Sequence, residues 1–534
     1  MARDFHRVAE QIVDDLLAAD PELALWSGDH RHDHRLPDYS PAAVRAEVER
    51  LRESADVVHE ADPETLDAED SVDLQLLASA LDARLFALTE TREHEWNPLK
   101  HNPGALFHGL LMRDFAPAEE RLESVLARLD AVPDALATAE SVLTDCPTVH
   151  VETAIGQITG TAALIRDQVG ALAASVPARA RDVEPAQEKA IAALERHAEW
   201  LRGALASPGR DPRLGRRLWE AKLWHSLDSD LTASTLLDRA ETNLMEVGER
   251  IREVAEELTG SPDPRAALDT LAADRPDNTT IMARADDALA AVTAFVEAND
   301  LVSLVDDPCQ IVEMPEFARG VAVAYCDAPG PLEVADVPTF YAIAPTPAGW
   351  SPARIESFYR EYNDHMVRNL TVHEAVPGHF LQLAHARRFR GSTRVRALCQ
   401  SGTFIEGWAV YTEELMADAG YGGAGVRMQQ LKMQLRMTIN AILDQLVHCE
   451  GLSERDAMAL MRDRGFQEEG EAAGKWRRAL LTSTQLSTYF VGYTEVSAIA
   501  RARPGGPPTR EWHDAMLAHG SPSPRHLATL LGTA

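Results

Sequence analysis

The residues most able to do chemistry lie in the segment TVHEAVPGHFLQ, residues 371–382. It holds two histidines, His373 and His379, with Glu374 directly after the first. Imidazole nitrogens are common zinc ligands, and a carboxylate beside a ligand can act as a general base toward water. The His-Glu-x-x-His pattern places two zinc ligands on one helix face, but the two histidines here are two residues further apart than in that pattern. The segment therefore predicts a zinc site only if its backbone departs from a regular helix.

A Pro-Gly pair between the histidines supplies this departure. On a regular helix, residues six apart are rotated by about 240° around the axis, so both imidazoles could not reach one ion. Pro377 lacks the amide hydrogen that would bond the carbonyl of His373, and Gly378 tolerates almost any backbone dihedral. We predict a bulge that absorbs two residues and returns His379 to the face carrying His373. A Pro-kinked helix with a hydrogen-bonded histidine pair is the structural alternative.

A third ligand is needed, because a catalytic zinc site takes three protein ligands and leaves one position open. The apparent helix TFIEGWAVYTE, residues 403–413, offers Glu406, which precedes a small residue that permits close packing. We predict Glu406 as this ligand, although a carboxylate at a helix start also stabilises the helix dipole. Glu413 and Glu414 are alternatives. Glu413 is seven residues further on, roughly on the same face, where it could also hydrogen-bond a ligand from behind.

The elements that position these residues are mainly helices. Residues 1–300 show apolar positions at helical spacing, for example in 188–206 and 285–299. Near residue 306 the pattern changes to short segments rich in β-branched and aromatic residues, which predict two or three strands. They are QIVEMPEF (310–317), VAVAYCDA (321–328) and PTFYAIAP (338–345). We predict an all-α body with a small antiparallel β-sheet, comprising an N-terminal helical region (1–305) and a catalytic region (306–534).

Composition excludes several function classes. The chain has 84 Asp and Glu against 52 Lys and Arg, a formal net charge of −32, which repels phosphate backbones. The Arg-rich stretch at 387–390 is too short to form a basic stripe, so we expect no nucleic-acid partner.

The N-terminus lacks an apolar signal core and no run of 18 apolar residues occurs, so we expect a cytoplasmic protein with no membrane partner. Five scattered cysteines without CxxC spacing indicate neither a disulfide framework nor a thiolate zinc site.

The strings HEAVPGHFLQ, FIEGWAVYTEEL and QLSTYFVGYTE resemble signatures of the bacterial domain-of-unknown-function family 885, and the resemblance spans nearly the whole chain. That family is more distantly similar to the helical zinc peptidases exemplified by thimet oligopeptidase, angiotensin-converting enzyme and the thermostable carboxypeptidases. The resemblance implies zinc ligation by His373, His379 and Glu406, with Glu374 as the base. It also implies two helical lobes flanking a deep cleft, with the sheet near the active site.

The same resemblance suggests residues beyond the metal ligands. In those peptidases a tyrosine or histidine from a C-terminal helix stabilises the oxyanion, and the matching candidates here are Tyr489 and Tyr493. They are four residues apart, so both could face a cleft. The peptidases also add an extended substrate to an edge strand beside the metal, a part that residues 321–325 or 340–344 would play. A plain structural hairpin explains the same strand pattern.

These observations predict a zinc-dependent hydrolase, most simply a metallopeptidase that acts on a peptide or small amide substrate. A metal-dependent amidase or lyase acting on a small metabolite is an alternative, because a fold does not fix a reaction. A non-catalytic helical binding protein is a third hypothesis, against which Glu374 argues, since a structural zinc site needs no general base. His/His/Glu ligation also suits manganese, cobalt or iron, and nothing in the sequence fixes the oligomeric state.

Overall fold

Helices form most of the chain, as the sequence predicts. The computed structural model describes residues 2–229, 231–314, 323–347 and 349–533. The helices before the first strand are α1 (Ala2–Ala19), α2 (Pro21–Ser27), α3 (Pro41–His59), α4 (Ala68–Phe86), α5 (Gly104–Met112), α6 (Ala118–Val142), α7 (Thr148–Ala174), α8 (Ala180–Ala204), α9 (Arg216–Leu227), α10 (Ala233–Thr259), α11 (Pro264–Leu271) and α12 (Ile281–Ala298). The helices after the last strand are α13 (Pro352–Glu361), α14 (Asp364–Glu374), α15 (His379–Ala386), α16 (Val395–Leu398), α17 (Gly402–Asp418), α18 (Gly423–Glu450), α19 (Glu454–Ala459), α20 (Glu469–Leu481), α21 (Thr488–Arg501), α22 (Arg510–Leu517) and α23 (Pro524–Leu530).

Local punctuation residues set many helix ends. The side chains of Asp20 and Ser40 accept backbone N–H bonds at the starts of α2 and α3, and each is followed by a proline that is preorganised for the first helical turn. Gly260 ends α10 in the left-handed conformation, at φ 75°. The periodic segments 188–206 and 285–299 fall in α8 and α12. None of the helices in the described ranges is long and apolar enough to span a bilayer.

Three strands follow α12, one from each of the three segments, which confirms the prediction of two or three strands. They are β1 (Cys309–Glu313), β2 (Ala324–Asp327) and β3 (Thr339–Ile343), in the spatial order β1-β3-β2. β3 runs parallel to β1 and antiparallel to β2, with Tyr341 opposite both Ile311 and Cys326. The sheet is therefore mixed, and the prediction of an antiparallel sheet is wrong. The residue pattern of a strand specifies its two faces but not the order in which strands pair.

The strand order also corrects one of the two candidate peptide-binding edges. β3 lies between the other two strands, so both of its backbone edges are hydrogen-bonded and residues 340–344 cannot receive a further strand. Of the other candidate, 321–325, residues 321 and 322 lie outside the described residues. Its later part enters β2, which has an outer position in the described order.

The chain folds into two compact units. The first comprises Met1–Pro212, Pro329–Val337 and Gly391–Cys399, and the second comprises Arg213–Ala328, Pro338–Arg390 and Gln400–Ala534. In the first unit, α5 to α8 enclose a core that includes the fully buried Phe107, Leu129 and Leu194. The change of sequence pattern near residue 306 coincides with β1, whereas the chain first passes between units after Pro212.

The second unit is organised around α18, which is buried along most of its length. α10, α14, α17 and α21 all pack against it, and the core contains the fully buried Phe404, Trp408 and Phe490. α17 and α21 approach each other with almost no side chain between them, because Gly407 on α17 faces Gly492 on α21. A Cβ atom added to Gly407 would lie 2.4 Å from the backbone of Gly492. All predicted site residues belong to this unit.

Candidate metal centre

The two histidines stand on different helices. α14 ends at Glu374 and α15 begins at His379, with a cis peptide bond between Val376 and Pro377 in the connecting turn. The predicted bulge within one helix is therefore wrong in form, because the helix stops and a second one starts. Pro377 has no amide hydrogen to continue the ladder of hydrogen bonds, and the turn instead directs α15 back toward the end of α14.

Two contacts hold this turn against its neighbours. The Gly378 N–H donates to the carbonyl of Val372 at 3.0 Å, and Trp408 Nε1 donates to the carbonyl of Pro377 at 2.8 Å. A Cβ atom on Gly378 would lie 2.0 Å from the carbonyl oxygen of His373, so only glycine fits here. The turn thus brings His379 back to His373, with a ring-centroid distance of 4.7 Å and an interplanar angle of 87°.

Glu406 completes a set of three converging ligand atoms. Its Oε2 lies 3.5 Å from His373 Nε2 and 3.5 Å from His379 Nε2, and one ligand atom from each of the three residues lies within 4.8 Å of the others. Tetrahedral zinc with bonds of about 2.0–2.1 Å separates its ligand atoms by about 3.4 Å. Within the described ranges, no other group of His, Cys, Asp and Glu has this geometry. The donor set therefore fits zinc.

Two further observations agree with a cation at this point. At 3.5 Å the contacts are longer than normal hydrogen bonds, and Glu406 Oε2 is buried without a hydrogen-bond partner in the described part of the chain. Both histidines are only 8% exposed. A buried carboxylate oxygen aimed between two imidazole nitrogens is costly unless a proton or a metal ion occupies the space.

The electrostatics of the site favour positive charge. Burial opposes the charged form of Glu406, but His373 and His379 hold the pKa of its carboxyl well below the usual range. Burial likewise opposes protonation of His373, whereas Glu406, Glu413 and Glu374 raise the pKa of its imidazole well above the usual value. A bound divalent cation would supply the charge that these carboxylates otherwise draw from protons.

Glu413 supports His373 from behind, which is the second role that the sequence suggested for it. Its Oε1 lies 2.7 Å from His373 Nδ1, and its Oε2 accepts a hydrogen bond from Asn369 Nδ2 at 2.6 Å. A carboxylate at Nδ1 places the ring proton there and leaves the Nε2 lone pair directed at Glu406 and His379. Glu414, the other alternative ligand, accepts the hydroxyl of Tyr493 instead.

Glu374 is a buried carboxylate that directly follows His373. The residue is 8% exposed, and it makes no hydrogen bond or ion pair within the described ranges. Its charge contributes to the raised pKa of the adjacent His373 and of the buried Tyr341 hydroxyl. A carboxylate beside the ligand cluster and without a protein partner can accept a proton from water and return it.

The two candidate tyrosines have different surroundings. Tyr493 donates its hydroxyl to Glu414 at 2.6 Å and accepts from Gln434 Nε2 at 3.0 Å. Tyr489 accepts a hydrogen bond from Arg478 Nη2 at 3.2 Å, and burial together with the charge of Glu406 raises the pKa of its hydroxyl. Tyr489 is therefore the one of the pair whose hydroxyl is affected by the charge of Glu406.

Sequence reasoning missed several residues that build the site. Trp408 carries no recognisable spacing signal, because its hydrogen bond joins residues that are 31 apart in the chain. Arg478 is only 11 residues from Tyr489, but the two lie on different helices, so their spacing does not indicate a contact. The sequence does contain a signal for Gly492, because it lies between Tyr489 and Tyr493, just as Gly407 lies next to Glu406. Paired glycines next to candidate residues on two helices indicate a close helix crossing.

Comparisons with known proteins concern nearly the whole chain. The family described as bacterial protein of unknown function (DUF885) matches residues 21–531. A putative lipoprotein of unknown function from Shewanella oneidensis is 26% identical, with a TM-score of 0.80 over 99% of both chains. The putative lipoprotein from Colwellia psychrerythraea is 16% identical, with a TM-score of 0.78 over 99% of this chain and 98% of that one, which shows a shared fold. No curated protein matches the chain.

Proposed function

We propose that this chain, which belongs to the bacterial family of unknown function DUF885, is a zinc-dependent hydrolase, most simply a metallopeptidase acting on peptides or small amides. The observation that carries the proposal is the convergence of His373, His379 and Glu406 beside the unpartnered carboxylate of Glu374. The likeness to thimet oligopeptidase and angiotensin-converting enzyme, with a deep cleft between two helical lobes, is part of this proposal. The cytoplasmic location and the absence of nucleic-acid and membrane partners stay predictions from the sequence.

The three ligands would leave one coordination position for the reaction. His373 Nε2, His379 Nε2 and Glu406 Oε2 would hold the ion, and Glu413 would fix the orientation of the first imidazole. When bound, zinc supplies Lewis-acid polarisation of the substrate carbonyl and of a water nucleophile. A ligand set with three protein donors is typical of catalytic zinc sites, whereas structural sites have four.

Glu374 would move the proton. Its carboxylate accepts a proton from the attacking water as the new carbon–oxygen bond forms, and delivers that proton to the leaving amine as the carbon–nitrogen bond breaks. Glu374 has no partner in the described chain, so it can turn from water to amine without breaking a protein hydrogen bond.

Tyr489 would stabilise the oxyanion. A guanidinium can only donate, so the phenol oxygen accepts from Arg478 and the phenol proton remains available. That proton can be donated to the substrate carbonyl oxygen as negative charge develops there, an interaction that is stronger in the transition state than in the ground state.

The proposal is tested by product analysis of a mixed peptide library and a small-amide library, each incubated with the zinc-loaded protein. We expect cleavage by the native protein and a loss of about 100- to 10,000-fold in the Glu374→Gln variant, because an amide cannot accept the proton. Glu454→Gln, an exposed change of the same type, should leave the rate unchanged. A zinc-loaded native protein that cleaves neither library, or a Glu374→Gln variant of full activity, would contradict the proposal. Cleavage of small amides alone would select the metabolite amidase.

A further inference from the structure

Arg478, on α20, is held in a fixed position beside the candidate site. Its side chain is half-buried, and its Nη2 donates to Gln485 Oε1 at 2.7 Å and to the Tyr489 hydroxyl at 3.2 Å. Both acceptors are neutral. The remaining nitrogens of the guanidinium, Nε and Nη1, have no hydrogen-bond partner in the described ranges. A rigid pair of donors is therefore left without a protein acceptor.

The charge of Arg478 is also unbalanced. In the described part of the chain, no carboxylate oxygen lies within 4.0 Å of its guanidinium. Two buried cations on α18 are paired by contrast, since Glu361 accepts from Lys432 Nζ at 2.8 Å and from Arg436 Nη2 at 2.5 Å. The chain has 84 acidic and 52 basic residues, so acidic partners are abundant. Arginine cannot discharge by losing its proton, and a partly buried unpaired cation favours an anion from outside.

Helix packing places this cation next to the metal ligands. The methyl group of Thr488 lies 3.9 Å from where a Cβ on Gly402 would be, and Gly492 faces Gly407. These two contacts align the first turns of α21 with those of α17, so Tyr489 lies alongside the turn that carries Glu406. Its raised hydroxyl pKa, partly caused by the Glu406 charge, agrees with that position. Arg478 reaches the same place through its bond to Tyr489.

We propose that Arg478 binds a free carboxylate of the substrate, so that the preferred substrates are amides with a carboxylate close to the scissile bond. The inference rests on the proposed hydrolase function and narrows its substrate class to peptides cleaved near their C-terminus or to N-acyl amino acids. A guanidinium forms two parallel N–H bonds to a carboxylate, a geometry that Lys does not reproduce. Binding at Arg478 also sets the distance between the scissile carbonyl and the Tyr489 hydroxyl.

Matched substrates test this directly. One library contains N-acetylated peptides with a free C-terminal carboxylate, and the other contains the same peptides as C-terminal carboxamides. We expect the native protein to prefer the carboxylate library by about 10- to 150-fold in kcat/KM, the contribution of a hydrogen-bonded charge. In Arg478→Gln the ratio should fall to about one, mainly through KM. A disturbance of Tyr489 lowers both rates alike and cancels in the ratio.

Two further variants complete the design. Arg478→Lys keeps the charge without the planar guanidinium and should retain part of the preference for the carboxylate library. It takes the place of Arg478→Gln as the test if circular dichroism shows that Arg478→Gln is not folded. Arg455→Gln changes an arginine that is 90% exposed and should keep the full preference. N-acetyl amino acids with a free carboxylate, assayed alongside, distinguish the two substrate sources.

The outcomes separate this inference from the function beneath it. Equal cleavage of both libraries by the native protein, or a full preference in Arg478→Gln, overturns the role of Arg478 and leaves the hydrolase standing. If the zinc-loaded protein cleaves the mixed peptide or small-amide library but neither of these matched libraries nor N-acetyl amino acids, the inference alone is overturned. Failure to cleave any of these substrates refutes the hydrolase and the inference together. A ratio that falls to about one in Arg478→Gln, is partly kept in Arg478→Lys and is fully kept in Arg455→Gln supports the inference.

Discussion

Removing the charge of Glu413 should weaken metal binding without disturbing the fold. Glu413 accepts from His373 Nδ1 and from Asn369 Nδ2, and its side chain is 1% exposed. In Glu413→Gln the new amide oxygen can still accept from His373. The new amide nitrogen would face the Asn369 amino group, but Asn369 Oδ1 is buried without a partner in the described chain, so rotation of that amide supplies an acceptor. The shape and the number of hydrogen bonds are preserved.

The expected magnitude follows from the type of hydrogen bond lost. A charge-assisted bond is about twice as strong as a neutral one, and loss of a partner behind a zinc-bound imidazole weakens the metal about 10- to 100-fold. We expect Glu413→Gln near the lower end, about tenfold. Glu413→Ala removes both bonds and leaves His373 without an orienting partner, so we expect about 100-fold.

The assay is a titration of zinc against a chromophoric chelator at neutral pH, performed on the native protein and both variants. Asp418→Asn serves as the control, because it removes an exposed charge from the same helix and should leave the zinc affinity unchanged. The reasoning is refuted if Glu413→Ala binds zinc as tightly as the native protein while Tm is also unchanged.

Other expectations concern packing and pH. Gly407→Ala places a Cβ against the Gly492 backbone, so it should lower the free energy of unfolding by about 1–3 kcal/mol and weaken zinc binding. Gly402→Ala is the control, because a Cβ there would have no contact closer than 3.9 Å and should leave both properties unchanged. Chemical denaturation and zinc titration compare the two variants. Burial opposes protonation of His30, but hydrogen bonds to two carboxylates, one of them on Glu333, raise its pKa from 6.5 to about 9. The stabilisation of the folded state by protonated His30 is therefore complete below about pH 6.5 and is lost as the pH rises through about 9. Across this pH range, the Tm of the native protein should fall by a few degrees more than the Tm of His30→Gln. Parallel plots of Tm against pH for the two proteins would contradict this role of His30.

The sequence predicted the elements of the site better than their arrangement. Residue chemistry and spacing indicated His373, His379 and Glu406 as candidate ligands, and helical periodicity located the helices around them. The bulge was wrong in form because Pro377 and Gly378 show that a regular helix must fail without showing whether it bends or ends. That outcome depends on tertiary contacts of the turn, such as the hydrogen bond from Trp408 to the carbonyl of Pro377, which no local pattern shows.

The pairing of strands and of distant side chains could not be predicted from the sequence either, because it also depends on tertiary contacts. Three strand segments were visible, but the position of β3 between β1 and β2 depends on contacts between segments that no local pattern encodes. The spacing of Tyr489 and Tyr493 allowed both to face one side, whereas hydrogen bonds to Arg478 and Glu414 place them in different surroundings. The proposed role of Arg478 depends on an unpaired charge, and a charge can be recognised as unpaired only when the positions of its neighbours are known.

The central claim is that His373, His379 and Glu406 together bind one divalent ion, and metal content by mass spectrometry after zinc loading and exhaustive dialysis tests it most directly. We predict about one equivalent of zinc in the native protein and in Glu374→Gln, and none in His373→Ala or Glu406→Ala. Absence of stoichiometric metal from the native protein, or its full retention in both ligand variants, would contradict the account.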